Sequence, residues 1–440
     1  MDLISEYNAL LEADPSSAVE QAAWMDDEFV RQGVTFDGAA MRSFLRPHFL
    51  ERAQWVRLRD EGRRLLELAA RVARYAFGGD VDRLCDFLGT PDGERHWVRL
   101  DPGPPDVLLS RLDAFFGDEG PRFIEINSDA PAGLGYGDRM ADVFRRLPVF
   151  RAFQDRHPVA YNRSVPAVVE SVLHVHTRTA TPVVAIVDFA DVKTRGDQVI
   201  LQRAFEERGV KCLLADPREM DLRNGWLWSR SQRVDLVYRR AVLSELLERK
   251  NEVSPFLRAY DSRVAVFVNS FRCRLSEDKV FFALLTDETF AGLMTEEERA
   301  LAARCIPWTR RVAERHTLRG GREVDLVPHV IERREELVLK PAHGYGGRSV
   351  FIGSETEPAE WERAAHAACR EPWVVQERVA IPEEVFPVCA PEGLAFEAFK
   401  LNANPFYVGG AEVGAIARAS RSSVINVSAG GGSVPTFVVG

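Results

Sequence analysis

No CxxC pair, no internal repeat and no run of about eighteen apolar residues occurs in this 440-residue sequence, and each absence removes a class of protein. The six cysteines, Cys85, Cys212, Cys273, Cys305, Cys369 and Cys389, are dispersed, which argues against a zinc site or a disulfide framework and fits a reducing cytoplasm. The start, MDLISEYNALLEADP, lacks the basic residues and apolar core of a signal peptide, so a soluble cytoplasmic protein with no membrane partner is expected. A basic excess is missing too, and the net charge of −9 argues against nucleic acid as the main partner. Neither a GxxxxGK[ST] phosphate loop nor a strand–GxGxxG–helix unit is found, which removes the two commonest nucleotide folds. With 46% hydrophobic and 28% charged residues, the chain has the composition of a globular protein and the length for two or three domains.

Along the chain, residues 1 to about 94 read as a helical region, with apolar residues at three- and four-residue intervals in Met41 to Leu50 and Gln54 to Phe77 and arginines between them as a solvated face. Leu109 to Phe116 and Arg122 to Asn127 read as strands of a hairpin joined by Gly117 to Pro121. The glycines at 133 to 137 read as a connecting loop. Residues 161–270 alternate strands and helices: Val183 to Asp188, the helix Asp197 to Arg208, then Val210 to Ala215, Val234 to Tyr238 and Val264 to Val268, which predicts a small α/β domain with a parallel sheet. Ser276 is placed at the start of a helix running through Lys279 to Leu285, and Thr295 with Glu298 makes a capping box. A strand Leu337 to Leu339 ends on Lys340, a helix follows near Pro358 to Ala368, and a strand at Trp373 to Gln376. From Ala395 the chain reads as strands broken by Gly409 and Gly410, with Ile425 to Val427 a further short strand.

Two stretches carry chemistry. In SRLDAFFGDEGPRFIEIN, Arg111 and Asp113 lie two apart on one strand and Glu125 and Asn127 two apart on the other, so all four are expected on one face, with Leu112, Ala114, Phe116, Ile124 and Ile126 on the opposite one. Two carboxylates and an amide oxygen are hard ligands suited to Mg2+, and the arginine suits a phosphoryl group or an oxyanion. The same pattern also describes a hairpin with a solvated polar face. In LVLKPAHGYGGRSVFIG, Lys340 precedes Gly344, Gly346 and Gly347, whose backbone N–H groups can converge on phosphate oxygens. Its plain alternative is a glycine-rich hairpin with a surface lysine. Asp191 and Arg195, with Asp197, follow the first strand of the α/β domain, where open sheets take their ligands.

Taken in order, the R-x-D and E-x-N hairpin, Lys279 in SEDK, Lys340 in VLKP and Gln376-Glu377 in VVQE resemble the circularly permuted ATP-grasp proteins, most closely the synthetase domain of glutathionylspermidine synthase. In that family the metal hairpin precedes both nucleotide lysines, as it does here. The resemblance implies an α/β (mixed α+β) fold: a helical N-terminal region at 1–94, a first ATP-grasp part with the hairpin at 95–160, a pre-ATP-grasp substrate domain at 161–270 and the nucleotide-binding part at 271–440. It implies Mg2+ on Asp113, Glu125 and Asn127, and ATP on Lys279 and Lys340, with Gly344 to Gly347 as a lid. By the same likeness Gln376 and Glu377 lie on the adenine-side strand, Arg418 faces the phosphates, and Ser128 and Asp129 resemble the stretch after the family's asparagine and contact substrate. No amidase-like domain with a catalytic cysteine precedes these motifs, so glutathione and spermidine are not carried over.

The expected activity is an ATP- and Mg2+-dependent ligase joining a small-molecule carboxylate to an amine through an acyl phosphate, with Arg111 stabilising the transferred group. Two rivals are a small-molecule kinase, for which HRD and DFG elements are missing, and a non-catalytic nucleotide-binding protein. The permuted order makes a geometric demand: Lys340 and Glu125, more than two hundred residues apart, must face one cleft.

Overall fold

The computed structural model describes every residue except 1, 101–106, 177, 178, 180, 344–349, 391, 426, 428 and 429. Its largest sheet runs in the order His48–Glu51, Gly432–Val439, Ala411–Ser420, Gly393–Val408, Leu109–Gly117, Gly120–Asn127, with Glu383–Ala390 pairing on Gly393–Val408. All these pairings are antiparallel except that of His48–Glu51 with Gly432–Val439. The early hairpin is therefore built onto strands from the end of the chain. Gly409 and Gly410, with φ of 58° and 81°, make the tight two-residue turn between the long strands, where two successive left-handed residues match the twist of the pair.

Helix Arg52–Tyr75 lies across one face of this sheet. Its buried residues Trp55, Leu58, Gly62, Leu65, Leu68 and Val72 recur at three- and four-residue spacing, and Gly62 lets it approach closely: a Cβ there would stand 1.9 Å from the Tyr407 hydroxyl, which donates to Leu58 O at 3.1 Å. Helix Leu134–Phe144, against helix Pro15–Gln32, covers the other face. The glycines at 133 to 137 thus open a helix and are no connecting loop, and Asp197 caps it, accepting from the N–H of Gly135 at 2.8 Å and of Tyr136 at 3.1 Å.

The second sheet is wholly parallel, ordered Val266–Val268, Leu236–Arg239, Val184–Val187, Cys212–Ala215, with Arg195–Glu207 as a crossover helix. Its two central strands are buried along their length, as expected of strands covered on both faces. Asn269 joins this sheet to the hairpin. Its Oδ1 accepts from the N–H groups of Leu108 (2.8 Å) and Leu109 (2.9 Å), and its Nδ2 donates to Leu109 O and Ser128 O, both at 2.7 Å. One buried amide thereby fixes where the hairpin begins and where it leaves.

A third, antiparallel sheet runs Thr309–Arg311, Trp373–Glu377, Leu337–Pro341, Phe351–Ile352, backed by helix Pro358–Ala368, whose Trp361 is fully buried. Pro341 still pairs with Trp373 inside this ladder.

Three expected elements differ. Met41 to Leu50 is no helix, because Pro47 removes a helical N–H and His48–Glu51 pairs in the large sheet. The helix placed from Ser276 to Leu285 is broken at Asp278, which is extended (ψ 132°) and caps the following turn through Val280 N at 2.8 Å. Ile425 is not in a strand, and the rest of that segment lies partly outside the described residues. Among the described residues no helix is long and apolar enough to cross a membrane.

Candidate active site

Register decides what the hairpin presents. Arg111 pairs with Asn127 and Asp113 with Glu125, so all four side chains stand on one face, and all four line a cleft of about 590 Å³ between the large and third sheets. A bulge after Asp113 shifts the remainder: Ile124 lines the cleft in place of filling the core, and Phe123 takes the core position.

Asp113 is buried and fully engaged. Its Oδ1 accepts from Arg111 Nε at 2.8 Å and Asn127 Nδ2 at 3.2 Å, and its Oδ2 from Arg418 Nη2. Burial alone would raise this carboxyl, but Arg111 and Arg418 outweigh it and hold Asp113 well below the usual carboxylate range. Arg418 also donates to Asn404 Oδ1 at 2.6 Å, while its buried Nε has no partner among the described residues. Lys279, just after the break at Asp278, brings Nζ to 3.9 Å from Glu125 Oε2. Lys340 donates to Gln376 Oε1 at 2.8 Å, and Gln376 in turn donates to Thr309 Oγ1 at 3.0 Å. Burial pushes the Lys340 amine down to about 8, Glu125 pulling the other way and Lys279 adding to the fall.

Lys340 and Glu125 thus face the same cleft, as the sequence order demanded. Glu377 lines it too, accepting from Arg319 at 2.9 Å and Arg122 at 3.4 Å. The lining also includes apolar side chains, among them Phe115, Ile124, Val338, Ile352, Val379 and Ile381. The part around the hairpin and lysines is charged. Gly344, Gly346 and Gly347 lie outside the described residues. Ser128 and Asp129 are not in the cleft: both are buried, with Ser128 Oγ donating to Cys273 O at 2.9 Å and Asp129 paired to Arg239 at 2.5 Å. Asp191 and Arg195 sit beyond the carboxyl end of Val184–Val187, away from the cleft, with Arg195 donating to Gln198 at 3.1 Å.

Sequence reasoning missed Lys400, Asn402 and Asn404, which stand at alternate positions of Gly393–Val408. Lys400 and Asn402 line the cleft, and Asn404 holds Arg418. Their signal is the K-x-N-x-N alternation inside an otherwise apolar strand. Glu277 also lines the cleft and was overlooked.

Mg2+ takes one or two carboxylates and keeps several waters. Among the described residues no three His, Cys, Asp or Glu side chains form a metal cluster, but Asp113 and Glu125 stand directly opposite each other in the hairpin, two carboxylates on one face of the cleft. The donor set fits through Glu125 and the Asn127 amide oxygen. Asp113 is occupied by Arg111, Asn127 and Arg418 in this structure.

Over 97% of this chain the fold matches that of a glutathione synthetase-like effector from Globodera pallida, covering 98% of that chain with a TM-score of 0.60 and 14% identity. The fold is therefore mixed α/β of the glutathione synthetase type. In sequence, the chain is 24% identical to an uncharacterised protein of Mycobacterium tuberculosis, across 98% of this chain and 80% of the relative. It is 26% identical to a protein of Frankia casuarinae provisionally named glutamate–cysteine ligase 2-2, across 78% of this chain and 40% of that longer protein. No family model matches. These neighbours do not single out glutathionylspermidine synthase.

Proposed function

We propose that the protein is an ATP- and Mg2+-dependent ligase joining a carboxylate to an amine. The observation that carries this reading is the convergence of the Arg111–Asp113/Glu125–Asn127 hairpin with Lys279 and Lys340 in one cleft whose lining also includes apolar side chains. The glutathione synthetase-type fold and the ligase name of the Frankia relative support it.

On this reading the chain is a circularly permuted ATP-grasp protein, with the nucleotide between residues 95–160 and 271–440, substrate presented by 161–270, and 1–94 packed alongside. Phosphoryl transfer is chiefly positioning and charge neutralisation. Lys279 and Lys340 neutralise the phosphates, and Gln376 aims the Lys340 amine from behind. Glu125 and Asn127, with Asp113 beside them, would hold Mg2+, which when bound would draw charge off the transferred group. Arg111 and Arg418, which line the cleft at Asp113, stabilise the negative acyl phosphate. The substrate carboxylate takes the terminal phosphoryl group of ATP, releasing ADP. The amine, arriving as an ammonium, gives one proton to solvent, and its neutral nitrogen then bonds to the acyl carbon as the carbon–oxygen bond to phosphate breaks, its second proton leaving with phosphate.

Hydroxylamine trapping tests the reading. Purified protein with ATP, Mg2+ and pooled amino acids should release ADP and give a hydroxamate, which arises only from an acyl phosphate. ADP without hydroxamate would mean a kinase, and no ADP release would remove the enzyme reading.

A further inference from the structure

We propose that Glu277 anchors the ammonium group of the acceptor amine, an inference that rests on the ligase reading above. The other cleft carboxylates already have partners. Asp113 is taken by Arg111 and Arg418, Glu125 lies 3.9 Å from Lys279, and Glu377 is held by Arg122 and Arg319. Glu355 accepts from Ser423 Oγ at 2.5 Å at the lip beside Ile352. Glu277 differs from all of these. Its Oε2 accepts from two backbone N–H groups, Ser128 at 2.9 Å and Asp129, which fix the carboxylate without neutralising it. Among the described residues no lysine or arginine forms an ion pair with it. Arg274, three residues before it, is turned to Glu94 at 3.3 Å and to the His343 ring at 2.7 Å.

Position adds to chemistry. Ser128 and Asp129 directly follow Asn127, so Glu277 stands beyond the metal-ligand end of the hairpin, while Gln376 and Glu377 lie on another strand in the third sheet. An amine approaching an acyl phosphate held by Arg111 and Arg418 in this cleft has Glu277 on its wall. Burial and the neighbouring Asp129 raise the Glu277 carboxyl above its ordinary range, with Arg274 and the two N–H groups pulling the other way, so a rigid oxygen on this wall gains its charge most readily against a cation with N–H donors, and a primary or secondary ammonium fits it. The substrate class is thus a carboxylate acceptor amine that arrives protonated.

The test compares wild type, Glu277→Gln and Glu277→Asp with ATP, Mg2+ and pooled L-amino acids, with and without hydroxylamine. Hydroxylamine is an uncharged nucleophile at neutral pH and has no need of an ammonium anchor. Glu277→Gln should lower the ratio of amide product to hydroxamate about 10- to 100-fold, the loss of one charge-assisted hydrogen bond, and Glu277→Asp should recover part of it. An unaltered ratio overturns the proposal, and so does an equal loss of hydroxamate in both variants, which would assign Glu277 to the fold or the phosphate side. A wild-type protein that forms no hydroxamate overturns the ligase reading itself and this inference with it. Hydroxamate in wild type with an unchanged ratio in the variants overturns the anchor alone.

Discussion

Replacing Lys340 by methionine should make the protein more stable and less able to bind ATP. The amine sits at the cleft wall with its value pushed from 10.5 down to about 8 by burial, against the pull of Glu125. That gap corresponds to at most about 3 kcal/mol of work against keeping the amine charged in the fold, less whatever cleft water screens. Methionine removes this cost and keeps the stem's volume, but it also removes the hydrogen bond to Gln376, worth about 1 kcal/mol. The net expectation is a gain of about 1–2 kcal/mol at pH 7, read as a higher urea midpoint at unchanged slope. The sign with pH is fixed by linkage. The penalty is fully present below about 8, where folded and unfolded chains both carry the proton, and it fades as pH rises to 10.5, so the advantage of methionine should shrink over that window. Calorimetric titration with ATP should show affinity reduced at least about tenfold, the loss of one charge-assisted contact to phosphate. A variant destabilised by more than about 1 kcal/mol at pH 7 would refute the reasoning, because it would mean that Lys340 serves the fold and not a ligand.

Glu125→Gln should abolish Mg2+-dependent ADP release while leaving the urea midpoint within about 0.5 kcal/mol of wild type, since its present partner is a lysine at 3.9 Å. Asp113→Asn should cost about 3–5 kcal/mol in urea unfolding, because the new amide N–H group must face one of the donors now satisfied by the carboxylate. The stability that Asp113 supplies is present above the ordinary carboxylate range and is lost as pH falls through its depressed value, so the deficit of the variant should narrow only in strong acid. Asn269→Ala should cost about 3 kcal/mol or more and should speed hydrogen exchange at Leu108 and Leu109, whose N–H groups it leaves without an acceptor.

The site hairpin was legible because both of its rules are local: period two puts alternate residues on one face, and Gly120 with φ 105° turns the chain between two short strands. The parallel sheet was legible for a similar reason, its strands being continuous apolar runs separated by one amphipathic helix. What failed was set by distant partners. Pattern alone did not foresee that Ile124 would be a bulge residue, nor that Glu383–Ala390, with Pro387 inside it, would pair along the edge of Gly393–Val408. The arginines of the N-terminal region were read as solvated, yet Arg46 is fully buried, 2.8 Å from Glu384 and stacked 3.9 Å over Phe386, partners some 340 residues away. Ser128 and Asp129 stand as expected substrate contacts only through the family likeness of the stretch after Asn127, and in the structure they fasten the hairpin to the rest of the molecule.

The strand Gly432–Val439 lies inside the large sheet, with His48–Glu51 on one side and Ala411–Ser420 on the other. During synthesis the segment 48–51 therefore emerges from the ribosome almost four hundred residues before its neighbour exists. The hairpin at 109–127 likewise waits for Gly393–Val408. Until then the apolar face of helix Arg52–Tyr75 has only part of its seat, and the nascent chain carries two incomplete sheet edges. Vectorial, strand-by-strand assembly of the large sheet is closed to such a connectivity, whereas the parallel sheet within 184–268 is contiguous in sequence. The cleft can come into being only after Gly393–Val408 and Ala411–Ser420 have emerged, so chaperone dependence during expression should scale with the lifetime of the unfinished sheet and not with the stability of the finished protein.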